Sequence, residues 1–436
     1  MLGGGTFVTQ NKILPGSYIN FVSAARATTN QQRGVAAIPF VMDWGLENEI
    51  FEITADDFAK NALTILGYGA DHAKMINFRE VFRKGKTLLA YRLNGDGVKA
   101  ENTFFAAKYS GIRGNDLKTV ITANVDAPAN FDVKTLLGDV VVDIQTVANA
   151  AGLVANDFAT PKTGATLALT AGTALAGGTN GAAVVGANYT AYLAKLEQYS
   201  FNTLACPGTD DTVSVMFDNF TKRMRDELGV KFQTVRYKTA TAPDYEGVIV
   251  IENAVTDAGA AADSLIYWTA GAQSGCELSR SLTNANYDGE YSVGVSYTQT
   301  QLENFIKAGK LAFHRVGQEI HVLTDINSLT TFTDAKSDDF ASNQAIRVLD
   351  QSGNDIAALF NTKYLGKITN NDAGRVSFWS DVVTYNQGLE KQEAIQEFDP
   401  ESVVVVQGET KTSIICGYEV QPTSCMEKLY STIVVQ

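Results

Sequence analysis

The chain has 436 residues, of which 45% are hydrophobic and 19% are charged, a composition typical of a folded protein. This length exceeds what one hydrophobic core usually serves, so we expect two to four domains. The formal net charge is −13 and the pI is about 4.8. Because the sequence has no run of Lys and Arg that would neutralise phosphates, these values argue against nucleic acid as a partner.

Targeting and redox features predict a soluble protein made inside the cell. The N-terminus lacks the basic and apolar regions of a secretory signal, and Leu2 excludes N-myristoylation. The most apolar stretch, which starts at Leu136, is interrupted by Asp139 and Asp143, so we expect no membrane insertion. The four cysteines form no C-x-x-C pair, which favours free thiols in a reducing cytoplasm.

Residues 1–24 are expected to form an extended N-terminal arm. Gly3, Gly4 and Gly5 provide a flexible start, and the β-rich run TFVTQNKILPGSYINFV follows, with a turn at Pro15 and Gly16.

Residues 25–96 are interpreted as the first part of a core domain. The run GVAAIPFVMDWG is typical of a buried strand, and KTLLAYRLN predicts another. Between them, TADDFAKNALTILG predicts a helix that Thr54 caps, with Asp57 three residues later and Gly67 as its stop.

Residues 97–188 differ in texture from the sequence on either side. They are rich in Ala, Thr, Gly and Asn, and short alternating runs such as LKTVITANV indicate strands. We therefore predict an inserted, β-rich protruding domain.

Residues 189–330 are predicted to form an α/β middle domain. A helix capped by Asp210 and Asp211 is expected to end at Gly229. Its apolar face is predicted to contain Val213, Phe217, Phe220, Met224 and Leu228. A hairpin that turns near Gly317 is expected to bring His314 and His321 close together.

Residues 331–420 are predicted to form a C-terminal domain with two long helices followed by strands. Residues 421–436 are interpreted as a C-terminal arm, since Thr432, Ile433, Val434 and Val435 give a strong strand signal at the very end of the chain. The predicted fold class is therefore α+β or α/β and multidomain. It has a mixed-sheet core domain with flanking helices, the inserted β-rich domain, and extended β-strand arms at both ends.

No motif for catalysis, metal binding or cofactor binding emerges. LAGGTNG has no Lys-Ser/Thr after its last glycine, and NGDG has no closing Glu, so we interpret both as loops. The paired aspartates fall at predicted helix starts, where they complement the helix dipole. We therefore expect no cofactor, no metal and no enzymatic activity.

Several segments resemble contractile tail sheath proteins, which form the outer cylinder of contractile phages, phage-like elements and R-type bacteriocins of Gram-positive bacteria. GGTFVTQNKILPGSYINF is similar to the family's N-terminal arm, and RVLDQSGNDIAALFNTKYLGKITNNDAGR resembles its C-terminal domain. SCMEKLYSTIVV is similar to the family's closing segment, while YSFNTLACPGTDD and DYEGVIVIEN resemble its middle domain.

The resemblance implies a subunit that forms six-fold rings stacked helically around an inner tail tube and contracts to drive the tube through an envelope. It implies self-association, the tube protein, and baseplate and tail terminator proteins as partners. The location would be a virion tail or tail-like particle, assembled in the bacterial host cytoplasm.

The resemblance also implies roles for residues in the arms and near the tube. The N-terminal arm would pair between subunits through Thr6, Phe7, Val8, Thr9 and Gln10, and the C-terminal arm through Tyr430, Ser431, Thr432, Ile433, Val434 and Val435. The hinges would be Gly3, Gly4, Gly5, Pro15, Gly16 and Pro422, and the tube-facing residues Lys391 and Glu393.

Two alternatives stay open at this point. One is a cytoplasmic α/β enzyme with an inserted β domain, whose ligand would lie at the carboxyl ends of the strands. The other is a different self-assembling shell protein.

Overall fold

The first described section of the chain builds one edge of a large sheet. The structure is a computed structural model that describes residues 33–435, so the predictions for Thr6 to Gln10 and for the hinges from Gly3 to Gly16 lie outside the described residues. The elements are β1 (Val35–Phe40), β2 (Ile50–Thr54), α1 (Ala55–Leu66), α2 (Ile76–Phe82) and β3 (Thr87–Arg92).

Helix α1 begins and ends where the sequence predicts. The Thr54 hydroxyl accepts a hydrogen bond from the Asp57 N–H, and the Asp57 carboxylate accepts one from the Thr54 N–H, so the first turn is capped reciprocally. Gly67 ends the helix with φ 78°, a left-handed conformation that glycine adopts without strain.

The next section, called the insert, leaves this sheet and forms a second core, to which Trp44 of the first section also contributes. It contains β4 (Phe105–Ala107), β5 (Leu117–Ala123), β6 (Phe131–Leu137), β7 (Val140–Val147), β8 (Ala159–Pro161) and β9 (Thr170–Ala174). A four-stranded antiparallel sheet has the order β7-β6-β5-β9, and β4 pairs with β8. Where the chain enters and leaves the insert, Val98 and Thr179 form a bridge. A side chain at Gly181 would collide with the Gly95 carbonyl, so the two passages are tightly packed.

After the insert the chain returns to the first sheet. It forms α3 (Gly186–Leu196), β10 (Thr203–Cys206), α4 (Asp211–Lys222), β11 (Gln233–Tyr237), β12 (Val248–Ile251), α5 (Leu265–Gly275), α6 (Gln299–Lys307), β13 (Lys310–Leu311), β14 (Phe313–Val316) and β15 (Glu319–Val322). The resulting seven-stranded sheet has the order β13-β12-β11-β10-β1-β3-β2, with β10 beside β1. All its neighbouring strands are parallel except β2 and β3.

Helices cover both faces of this sheet, which explains its continuous apolar strands. Helices α1, α2 and α5 pack on one face, and α3 and α4 on the other. Every residue of β12 is buried, as expected for a parallel strand covered on both sides. The prediction that Leu228 lies on the apolar face of α4 is wrong, because Leu228 is more than half exposed. The helix passes into a π-turn at Arg223–Glu227, whose wider spacing moves Leu228 off the buried face.

The last section contains α7 (Asn343–Leu359), α8 (Asp372–Lys391), β16 (Ile395–Gln396), β17 (Val404–Gln407), β18 (Ile414–Gly417) and β19 (Gln421–Pro422). Phe378, Val382 and Leu389 of α8 form a core with residues of α7 and the short strands. The predicted multidomain fold, with a mixed-sheet core, flanking helices and a β-rich insert, is confirmed. Residues 423–435 contain no strand paired within the described chain.

Candidate assembly surface

The β17–β18 hairpin is an incomplete sheet on the surface of the C-terminal domain. Val405 pairs with Cys416, and both pack toward α8, because alternate residues of a strand face opposite sides. The opposite face carries Val404, Val406 and Ile415, which are 53%, 45% and 57% exposed. Within residues 33–435 neither outer edge of the hairpin pairs with another strand. Open edges with an apolar face are typical of a surface that binds another chain.

The root of the C-terminal arm, residues 421–427, is attached to its own subunit. Pro422 lies in β19, which pairs with β16, and the Thr423 N–H donates to the Ala394 carbonyl at 3.0 Å. The Cys425 N–H donates to Oε1 of Gln344 at 3.1 Å, and the Thr283 hydroxyl donates to Glu427 at 2.6 Å. The proposed hinge at Pro422 is thus followed by several attachments, and the chain leaves its own domain after Glu427.

The end of the arm, residues 428–435, has no secondary structure. None of these residues hydrogen-bonds to another described residue, and all are exposed. The predicted strand residues Tyr430, Ser431, Thr432, Ile433, Val434 and Val435 all lie in this extension. Ile433 and Val434 are 84% and 80% exposed. A run of strongly β-forming residues without a partner is an unusual exposure of apolar surface.

The two candidate tube-facing residues lie at the end of α8, beside the arm root. Lys391 is the last residue of the helix, and Glu393 follows with φ 58°. Both side chains are exposed. The Thr423 hydroxyl donates to the Glu393 carbonyl, so the structure brings this helix end and the arm root together.

Buried ion pairs join the C-terminal domain to the core. Arg225 donates to both carboxylate oxygens of Asp350, at 2.5 and 2.8 Å. Arg347 donates to Asp325 at 2.9 Å, and both of these side chains are 1% exposed. The pKa of Arg225 is raised, because attraction to Asp350 outweighs the lowering caused by burial. Such pairs fix orientation, since separating either would leave a buried charge without compensation.

Sequence reasoning missed this ionic interface and the exposed face of the hairpin. Helix α7 has no simple sequence signature, because many of its buried residues are polar and would also suit a solvated face. These buried polar residues include Asn343, Gln344, Arg347, Asp350, Gln351 and Asp355. The run SVVVVQGETKTSIICGYEVQP did predict strands, but not which of their faces stays open.

Membrane-spanning helices and metal clusters are both absent from residues 33–435. No helix in the described range has both the length and the apolar character needed to span a bilayer. Among the same residues, His, Cys, Asp and Glu side chains form no group of three or more that would hold a metal ion.

Family models of tail sheath proteins match nearly the whole described chain. Family models match for the Gp18 tail sheath domain III N-terminal region (residues 33–93) and the phage tail sheath β-sandwich domain (93–180). Models of the phage tail sheath central domain and C-terminal domain match residues 182–328 and 335–436.

Relatives and solved structures that match nearly the full length of the chain point to the same family. The PBSX phage-like element protein XkdK of Bacillus subtilis is 32% identical over 100% of both chains. The crystal structure of a sheath tail protein from Desulfitobacterium hafniense is 36% identical with a TM-score of 0.81, covering 93% of this chain and 96% of that chain. The anti-feeding prophage sheath in its contracted state shares the fold, with a TM-score of 0.57 at 14% identity over 96% and 98% of the two chains. The chain therefore belongs to the contractile phage tail sheath family, a family of structural proteins.

Proposed function

We propose that this sheath subunit polymerises around an inner tail tube as stacked six-fold rings joined by strand exchange, and that contraction of the polymer drives the tube through a target envelope. The observation that carries the proposal is the presence of two incomplete features in one chain. The arm end is a strongly β-forming segment that belongs to no sheet of the described chain, and the β17–β18 hairpin is a sheet with open edges.

Each feature supplies what the other lacks in a neighbouring subunit. An added strand gains main-chain hydrogen bonds along an open edge, which is a general mode of peptide recognition. The nine residues 428–436 reach about 30 Å at roughly 3.3 Å each, enough to cross to an adjacent subunit. The N-terminal arm, with Thr6, Phe7, Val8, Thr9 and Gln10, would complete the same sheet from another neighbour.

The arrangement also accounts for movement without loss of connection. The core and C-terminal domain are held together by buried ion pairs, so each subunit moves as a unit. The arms would keep neighbouring subunits linked while these units change position, with Gly3 to Gly5, Pro15, Gly16 and Pro422 as candidate hinges. Tighter packing after contraction would bury additional apolar surface, which supplies the driving force.

The proposal assigns partners and location as well. Lys391 and Glu393 would face the tube, where exposed charges permit a weak contact that is released on contraction. Baseplate and tail terminator proteins would bound the polymer. The particle would be assembled in the bacterial cytoplasm and would act as a virion tail or a tail-like particle.

Deletion of residues 428–436 tests the strand exchange directly. We expect the truncated protein to fold with unchanged thermal stability and to stay monomeric in light scattering and electron microscopy, while the full-length protein polymerises. Ile433→Asp should also prevent assembly. Val140→Asp is the matched control, because it places the same charge at an exposed apolar position of the insert. If the deletion unfolds the monomer, the strand belongs to its own core, and normal polymers from the truncated protein would also refute the exchange.

A further inference from the structure

Two cysteines lie beside the same turn at the root of the C-terminal arm. Cys276 directly follows α5, and Cys425 lies in the arm root. The Cys276 sulfur contacts the Arg280 carbonyl at 3.6 Å, and the Cys425 sulfur contacts the Ser279 carbonyl at 3.7 Å. These carbonyls belong to consecutive residues of one tight turn, so both thiols lie on the same small surface.

We propose that Cys276 and Cys425 form an intramolecular disulfide when the protein passes from a reducing to an oxidising environment, and that this bond fixes the arm root to the core. A disulfide requires Cα atoms about 4.4–6.8 Å apart and a sulfur–sulfur bond near 2 Å, and both thiols are free in this structure, so the two sulfurs must move closer together. The hydrogen bonds from Cys425 to Gln344 and from Thr283 to Glu427 lie nearest to Cys425 and would yield if the arm root moves.

The chemistry needs a low-molecular-weight disulfide, such as oxidised glutathione, as the oxidant. The Cys425 thiolate attacks one sulfur of the oxidant, forming a mixed disulfide and releasing one equivalent of reduced thiol. The Cys276 thiolate then attacks the Cys425 sulfur and releases the second equivalent. The two protein thiols lose two electrons and two protons in all, and the oxidant takes up both.

The two thiols have different surroundings, which sets this order. Burial raises the pKa of the Cys276 thiol, and nearby Asp325 adds to the rise while Arg347 opposes it. A raised pKa leaves less thiolate at Cys276 for the first attack, so we assign the first attack to the sulfur on the arm and the second to Cys276. Cys206 is buried in β10 and Cys416 lies in β18, so each serves as an internal control.

The consequence of the bond rests on the proposed strand exchange. An arm that links two subunits is pulled when they move, and its root is held only by hydrogen bonds and short strand pairing. A covalent bond at Cys425 would make the anchor independent of those contacts. The bond itself forms within one subunit, so its test does not depend on assembly.

The test is thiol counting on the full-length protein before and after incubation with oxidised glutathione. After denaturation, all four cysteines should be alkylated in reduced protein and two in oxidised protein, with mass spectrometry showing a Cys276–Cys425 linked peptide that a reductant removes. Cys416→Ser should still form the link, whereas Cys425→Ser should form none. Four free thiols after oxidation, glutathione adducts without the link, or a link to Cys416 would each overturn the proposal. Because the truncation at residue 428 retains both cysteines, it should form the bond whether or not it assembles.

Discussion

Asp350→Asn tests whether the C-terminal domain and the core are joined as one unit. Asp350 lies on α7 of the C-terminal domain, and its partner Arg225 lies in the π-turn after α4 of the core. The Arg225 and Asp350 side chains are only 4% and 10% exposed, so water does little to screen them. Asparagine keeps the size of the side chain and removes its charge, which leaves Arg225 without its bidentate partner.

The expected loss in the free energy of unfolding is about 3 kcal/mol. Removing one partner of a buried ion pair costs about 3–5 kcal/mol, because the other charge stays buried. We expect a loss at the lower end of this range, since Glu246 also attracts Arg225. That attraction is limited, because Glu246 already pairs with Lys336 at 2.7 Å. The matched control is Asp56→Asn, which breaks an ion pair with Lys60. Because the Asp56 and Lys60 side chains are 74% and 67% exposed, this substitution should lower the free energy of unfolding by about 0.5 kcal/mol or less.

Urea unfolding of both variants, followed by circular dichroism and tryptophan fluorescence, measures the difference. The double substitution Arg225→Met with Asp350→Leu should regain much of the loss, because no buried charge is left unpaired. An equal, small effect of Asp350→Asn and Asp56→Asn would refute a buried ionic joint between the domains.

Three further predictions concern other parts of the fold. Thr54→Ala removes the cap of α1 and should cost about 1 kcal/mol in the free energy of unfolding; Thr64→Ala on the same helix is the control, and an equal loss would contradict the capping role. Burial and nearby His321 lower the pKa of His314 below 6.5, so its contribution to stability is complete above that pH and is lost as pH falls through the folded pKa. Between pH 8 and pH 5 the melting temperature should therefore fall less for His314→Gln than for the unsubstituted protein. An equal fall in both would show that His314 is not the origin of this pH dependence. Replacing residues 99–178 by a short Gly-Ser linker should leave a folded core that still polymerises, because Val98 and Thr179 remain and already pair; loss of folding, seen by circular dichroism, would show that the insert is needed by the core.

Local signals in the sequence predicted much of the fold. The cap at Thr54 and the stop at Gly67 depend on contacts within one helix, so they are legible without the rest of the molecule. The hairpin around Gly317 is equally local, and it places His314 directly opposite His321 as expected. The change in composition near residue 97 marked the insert, because a separate small core needs different side chains.

Contacts between distant residues could not be predicted in the same way. Arg225 and Asp350 are 125 positions apart, and nothing in either local sequence indicates that the two meet. The Leu228 prediction was wrong for a related reason, since the π-turn depends on packing rather than on the apolar period. The sequence singled out Tyr430 to Val435 as a strand without a visible partner, and the assignment of its partner to another subunit stays a prediction.

Electron microscopy of the purified full-length protein tests the central proposal most directly. We predict hollow cylinders of six-fold symmetry, in which the density for residues 428–435 crosses from one subunit to the open edge of the β17–β18 hairpin of a neighbour. A protein that stays monomeric at high concentration under every salt condition, or a polymer whose arm ends lie on their own subunits, would contradict it.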